Sequence, residues 1–456
     1  MKPSRGMFKL LGLFGSNQQI NSQDENKENS QYTKTAAILD HPSIKPPIDV
    51  GVSNVKLEST ISKCEEKLLS ILLVKGIPGL VVCVAKQNKV VWNAAFGYCD
   101  VENQVMCSPD SRMRIASISK SIFAATVVAP LIDKGLLDIK SSIYKYIKEE
   151  DFPRPKFQDK EYDITIEQLL SHTSGIRGYA DQKATLRPIG SPGSLHIYQA
   201  EAQFKQEEFF ERGTFRSNLE ALKMFKDSPL VKEPGNFLYT TYGYTLLSAV
   251  IEQFLAKTQD NKVPIEDYWM RELRNTWNLR NTTLDHDEPI LPKRARYYMR
   301  SGENGSLINA PYANCSYKWA GGGLVSTTKD LAKFGIALID SFKLRNQAKL
   351  SRSTIDLLWK KIQNSYGLGF KIIELDKTEY NDKFAVSHTG SAVGASSILV
   401  LFPESELVVT IICNLHEVDL TSLGLYIAQQ FERLPVDSLD EKVISVSQSP
   451  ITRSSP

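Results

Sequence analysis

A serine three residues ahead of a lysine, Ser117-Ile-Ser-Lys120, opens an apolar stretch that runs to Ile132. On a helix this spacing puts a hydroxyl and an amine on one face within contact distance. That is the layout of an activated nucleophile. A lysine whose pKa is lowered by burial can take the hydroxyl proton, and a helix N-terminus favours negative charge developing at the serine. The S-x-x-K pattern occurs four times, at Ser53/Lys56, Ser117/Lys120, Ser142/Lys145 and Ser326/Lys329, so spacing alone decides nothing. Only after Ser117 does a run such as Ile118, Ile122, Phe123, Val127, Val128 and Leu131 follow, which reads as a helix buried nearly all round. The same residues fit an ordinary buried helix with a serine N-cap. Pro130 is expected to kink or shorten that helix, and Gly135 to end it.

Three further places invite a chemical reading. Tyr239 lies in Glu233-Pro-Gly-Asn-Phe-Leu-Tyr239-Thr-Thr-Tyr-Gly-Tyr244, just before an apolar helix expected over Thr245 to Leu255, where its phenol could face the nucleophile or simply pack. His172, in Ser171-His-Thr-Ser-Gly175, has the chemistry of a base, but a tight turn beside glycine is the setting of a structural hydrogen-bonder. Gly321-Gly-Gly323 is followed by no lysine in the phosphate-loop position, so close backbone packing is expected there.

The elements that must position these groups follow from periodicity and punctuation. Leu57 to Lys75 reads as an amphipathic helix closed by Gly76-Ile-Pro-Gly79. Leu80 to Ala85 and Lys89 to Phe96 read as a hairpin turning at Gln87-Asn88. Thr165 to Leu170 is expected to form a short helix, and Gln199 to Glu211 and Asn218 to Lys226 helix-like pieces of a charged insertion at about 178 to 233. A helix is expected through Asp330 to Phe334. Strands are expected at Tyr366 to Ile373, Phe384 to Gly390, Ala395 to Phe402 and Leu407 to Cys413, then a helix from Leu420 to Phe431. Strands at both ends with helices between imply an α/β (α+β) fold: one sheet built from the two termini, flanked by helices, with a mainly helical lobe inserted at about 140 to 350. Residues 1 to 55 read as a leader and flexible linker, 56 to 435 as the catalytic domain, and 436 to 456 as a disordered tail. Lys2, Arg5 and Lys9 precede the first acidic residue, Asp24, which is the composition of a mitochondrial presequence.

Composition bounds the rest. The 456 residues are 42% hydrophobic and 23% charged, enough for a large core. Lysine and arginine total 55 against 52 acidic residues, a formal charge of +3, which gives no reason to expect a nucleic acid partner. The six cysteines show no C-x-x-C spacing and read as reduced, partly buried thiols. No apolar run approaches the ~20 residues of a transmembrane helix, so any membrane association is expected at the surface.

Taken together, Ser117-Ile-Ser-Lys120, Tyr239-Thr-Thr241 and His388-Thr-Gly390 have the order and spacing of the S-x-x-K, Y-x-N and K-T-G (or H-x-G) elements of the serine β-lactamase and penicillin-binding-protein superfamily, which the chain resembles. Leu169 to Ile176, Pro234-Gly235, Gly321 to Thr327 and Tyr366-Gly-Leu-Gly369 look like its class C branch, and Asn314 to Gly323 and Ser387 to Ser397 like its animal mitochondrial group. The resemblance implies Ser117 as nucleophile, Lys120 as proton acceptor and Tyr239 as a partner in general acid–base work. It places the backbone amides of Ser117 and Ser391 at an oxyanion hole, and His388, Thr389, Gly390 and Thr241 against the substrate. It implies acyl transfer to Ser117 and hydrolysis of the acyl-enzyme, with no metal or organic cofactor. A mitochondrial peptidase or amidase of peptide or small acyl substrates, linked to lipid metabolism and able to form a homo-oligomer or filament, is the implied function. A lipid-type esterase and a filament-forming scaffold with vestigial hydrolysis are the alternatives. Thr241 replaces the usual asparagine and His388 the usual lysine, which implies a weaker grip on a substrate carboxylate.

Overall fold

The computed structural model describes residues 55–179, 208–258, 263–302 and 304–434. Seven strands form one sheet: β1 (Gly79–Lys86), β2 (Lys89–Asp100), β3 (Val105–Met106), β4 (Lys371–Glu374), β5 (Phe384–Ala392), β6 (Ala395–Phe402) and β7 (Leu407–Cys413). Their order is β4-β5-β6-β7-β1-β2-β3, and all neighbours run antiparallel. The first and last strands in sequence are thus partners at the centre, with Leu80 opposite Cys413 and Lys86 opposite Leu407. The hairpin between β1 and β2 turns on Gln87 and Asn88, whose φ values of 50° and 64° match the primed two-residue turn that follows the sheet's twist.

Both faces of the sheet are covered. The helices that matter below are α1 (Val55–Lys75), α2 (Ile118–Phe123), α3 (Ala129–Asp133), α4 (Tyr242–Thr258), α5 (Trp319–Gly322), α6 (Thr328–Phe342) and α7 (Thr421–Glu432). Side chains alternate along β1: Leu80, Val82 and Val84 enter one core with Leu68 and Leu72 of α1 and Ile427 and Phe431 of α7. Val81, Cys83 and Ala85 enter the other, with Ile122 of α2, Leu246 of α4 and Leu331 of α6. This is why β1 is buried along its whole length.

Several sequence expectations shift in detail. The helix after Ser117 does not break at Pro130; it passes through a π-helical segment, Ala124–Val128, and Pro130 follows directly after it in the first turn of α3. Asn218–Ala221 is helical and Leu222–Met224 forms a 3-10 turn. The strand expected over Tyr366 to Ile373 is confined to β4. A Cβ on Gly367 would come within 2.5 Å of Leu358 O, and Gly369 has φ +85° against Ala124 and Tyr244, so this segment is pressed onto helices and cannot stay in the sheet. The expected Gln199 to Glu211 helix lies mostly outside the described residues, as do the leader and the tail. All six cysteines are buried thiols. Among the described residues, no helix is long and apolar enough to cross a membrane.

Candidate active site

Ser117 is reached through a strained step. Met113–Arg114 pairs with Leu324–Ser326, and Ala116 then adopts φ +49°, a left-handed conformation rare for residues with a Cβ. Chain reversal at Ala116 lets the N–H groups of Ile118, Ser119 and Lys120 bond the carbonyls of Ile115, Ala116 and Ser117. Ser117 is the N-cap of α2 but makes no side-chain capping bond, so its hydroxyl is not used to start the helix.

That hydroxyl meets Lys120, whose Nζ is 3.0 Å from Ser117 Oγ. Lys120 is fully buried. Burial, and the nearby charge of Lys318, hold its pKa well below the usual lysine range. Two oxygens take up the amine's own hydrogens: Gly321 O at 2.5 Å and Thr241 Oγ1 at 3.3 Å. A neutral amine has two N–H donors and one lone pair. With both donors engaged, the lone pair is left for the Ser117 proton.

The supports of this arrangement are local and tight. Gly321 lies in α5, the expected close-packed glycine run, and a Cβ there would come within 2.5 Å of Thr241 Cγ2. Ser121 donates to Gly369 O at 2.6 Å, tying α2 to the segment before β4. Gly390 of β5 carries no side chain because a Cβ would come within 2.2 Å of Ile115 O, and Ser397 donates to the same carbonyl at 2.8 Å. β5 therefore lies directly against the nucleophile turn.

Tyr239 lines the same cleft as Ser117, and its ring centroid is 4.9 Å from Lys120 Nζ. Burial pushes the phenol's pKa up and the neighbouring Ser117 hydroxyl lowers it in part, while 39% of Tyr239 is open to the cleft. His172 is fully buried, its ring 4.2 Å from that of Tyr239, and its Nδ1 accepts the Thr240 N–H at 3.2 Å. Burial first, then the charges of Lys120 and His388, drive its pKa well down, so it is a neutral wall that orients the tyrosine turn. The hydrogen-bonding role expected for His172 matches this placement.

His388 is buried, and its contacts fix its tautomer. Nδ1 lies 2.6 Å from Thr389 O, which can only accept, so Nδ1 carries the hydrogen. Nε2 is then an acceptor for the Tyr366 hydroxyl at 2.8 Å. Burial pulls the imidazole pKa down to about 3. The weaker grip on a carboxylate expected of His388 goes further here, since its surroundings leave it uncharged at neutral pH. β4 pairs with β5 only from Phe384 to Ser387, so the edge of β5 from His388 onward has no β4 neighbour and Thr389 and Ser391 line the cleft. The cleft encloses about 1160 Å³, with Phe209, Phe210 and Phe237 among its aromatic lining and Arg300, Lys371 and Glu417 among its charged lining.

All the residues singled out in the sequence thus meet in one place. Thr241 differs from expectation in that its hydroxyl contacts the Lys120 amine as well as the cleft. Tyr366, Lys371 and the Gly321 carbonyl escaped sequence reasoning as individual groups. Their roles depend on contacts across 22 to 201 positions of chain, although the Tyr366-Gly-Leu-Gly369 signature marked the segment.

Comparison with known proteins agrees with the geometry. The mouse (Mus musculus) serine beta-lactamase-like protein LACTB, mitochondrial, is 32% identical over 438 residues, covering 78% of this chain and 78% of that protein. The octameric penicillin-binding protein homologue from Pyrococcus abyssi superposes with a TM-score of 0.64 at 21% identity, over 81% of this chain and 77% of its own. A class C beta-lactamase superposes with a TM-score of 0.61 at 14% identity, over 85% and 99%. The beta-lactamase family model matches residues 65–430, and with that extent of agreement the chain belongs to the beta-lactamase family.

Proposed function

We propose that the protein is a serine hydrolase that forms an acyl-enzyme at Ser117 and acts as a peptidase or amidase. The observation that carries this reading is the buried Lys120 amine, 3.0 Å from Ser117 Oγ with both its own donors engaged. Ser117 passes its proton to Lys120 Nζ and attacks the substrate carbonyl. Negative charge on the carbonyl oxygen is met by the N–H groups of Ser117 and Ser391. The third hydrogen now on Lys120 passes, through the Tyr239 phenol, to the leaving group. Water attacks the acyl-enzyme with the same groups in reverse order.

A second reading, an esterase for lipid-like acyl groups, is favoured by the aromatic side of the cleft at Phe209, Phe210 and Phe237. Labelling with a fluorophosphonate probe tests the shared chemistry. Wild type should label, Ser117→Ala should not, and Lys120→Ala should label at least ~100-fold more slowly. Equal labelling of wild type and Ser117→Ala sinks the nucleophile assignment, and no labelling of either points to a scaffold. Matched peptide and ester libraries then separate amidase from esterase. The mitochondrial name of the mouse relative and the basic, acid-free first 23 residues support import into mitochondria; a role in lipid metabolism there is part of the same proposal. Cytosolic staining of a carboxy-terminally tagged chain would count against that location.

A further inference from the structure

In this site the residue at the usual position for a carboxylate-binding cation is uncharged. His388 donates through Nδ1 to Thr389 O and receives the Tyr366 hydroxyl on Nε2, so both ring nitrogens are engaged within the protein. A substrate carboxylate offers only acceptors, and it finds neither a charge nor a free donor there. Yet the cleft holds a cation close by. Lys371 opens β4 directly opposite Ser387. Residues two and four along a strand share a face, so Lys371 belongs to the face of Thr389 and Ser391, while His388 turns to the other, onto Tyr366. Lys371 is exposed and lines the cleft together with Thr389 and Ser391.

The other charged lining groups are committed elsewhere. Arg300 donates to Gly76 O at 2.6 Å and to Gly305 O at 3.1 Å. Glu417 bears the wrong sign for an anion. Lys371 forms no salt bridge with a carboxylate among the described residues; Asp419 feels its charge only from beyond ion-pair distance. Adjacent strands are spaced about 4.8 Å apart, so a cation on β4 meets an anion farther out than one on β5 would.

We propose that Lys371, and not His388, is the carboxylate-recognising residue of this cleft, with Tyr366 acting as the positioning residue whose hydroxyl occupies His388 Nε2. The substrate class is an acyl compound whose free carboxylate lies roughly one strand spacing beyond the reach of His388. The inference rests on the hydrolase reading of Ser117.

The test compares a fluorogenic acyl ester carrying a terminal carboxylate with its methyl ester. Wild type should prefer the carboxylate. Lys371→Met should raise KM for the carboxylate compound about fivefold, as expected for one solvent-facing ion pair, with kcat and both constants for the methyl ester unchanged. Lys371→Arg should restore the preference, and His388→Gln should affect both compounds alike. The inference is overturned if Lys371→Met changes both compounds equally, or if His388→Gln alone removes the preference. If neither compound is turned over in a Ser117-dependent way, the hydrolase reading fails separately. Equilibrium binding of the two compounds to Ser117→Ala then decides the present point: a Lys371-dependent preference for the carboxylate supports it, and equal binding overturns it.

Discussion

Lys120 carries an amine with no solvent contact, and keeping it neutral has a consequence for stability as well as chemistry. Its folded pKa is depressed by burial, while in the unfolded chain it returns to about 10.4. Between those two values the unfolded chain binds more protons, so the stability of the folded protein rises with pH across that window. Lys120→Met removes this dependence. We expect the stability of the wild type, relative to Lys120→Met, to climb by as much as ~1.4 kcal/mol per pH unit as pH rises toward 10, measured by urea unfolding. Probe labelling of the wild type should fall as pH drops through the depressed lysine pKa, because the protonated amine has no lone pair for Ser117. Ser117 and Lys120 were legible in the sequence because their relation is one turn of one helix. Tyr239 and His388 became legible only through the order of three motifs. The charge state of His388 was not legible at all, since it is set by burial that exists only in the folded chain, where Tyr366, 22 positions away, reaches its Nε2.

At the scale of elements, the turn before α2 and the π segment within the nucleophile helix are where local propensity gives way to packing. Ala116 holds φ +49°, which for a residue with a Cβ costs ~1–2 kcal/mol relative to a right-handed conformation. Glycine would relieve that cost but add ~0.5–1 kcal/mol of unfolded-state entropy. Ala116→Gly should therefore raise the unfolding free energy by ~0.5 kcal/mol in denaturant titration, while labelling at Ser117 slows because the turn that aims its hydroxyl is less constrained. A fall in stability would show that the Ala116 methyl contributes more by packing than its backbone costs. Pro130 announced a disturbance in the sequence, but its form depends on partners. Thr126 donates to Ile122 O at 2.7 Å and accepts the Trp269 indole N–H at 2.9 Å, which anchors the π segment to a distant helix. The strands of the last quarter were readable from alternation and turn residues. The shortening of β4 was not, because it follows from the press of Gly367 and Gly369 against helices the local sequence does not contain.

At the scale of the molecule, a sheet with its first and last strands paired at the centre cannot form until both ends of the described chain are present, and one lysine shows how they are joined. Lys86 ends β1, and its buried Nζ donates to Phe431 O at 2.8 Å, Glu432 O at 3.2 Å and Leu434 O at 2.8 Å. These carbonyls lie at the C-terminus of α7, where a helix leaves its acceptors unpaired and its dipole favours a cation. The ammonium's three hydrogens and the helix end satisfy each other. Burial lowers the lysine's pKa and Glu432 partly restores it. The pattern that implied a sheet drawn from both termini could not foretell this staple, because a lysine before a turn reads as solvent-facing. Lys86→Met keeps the aliphatic stem but strips the carbonyls of their donors, a buried charge-assisted arrangement whose loss should cost ~2–4 kcal/mol. Since Lys86 touches no group of the cleft, the rate of fluorophosphonate labelling at 25 °C should stay within about twofold of wild type while the unfolding midpoint falls. Loss of labelling in a variant that still unfolds cooperatively would mean that the α7 end of the sheet governs the nucleophile turn through β7 and β6. Unchanged stability would mean that water replaces the lysine at the helix end without loss.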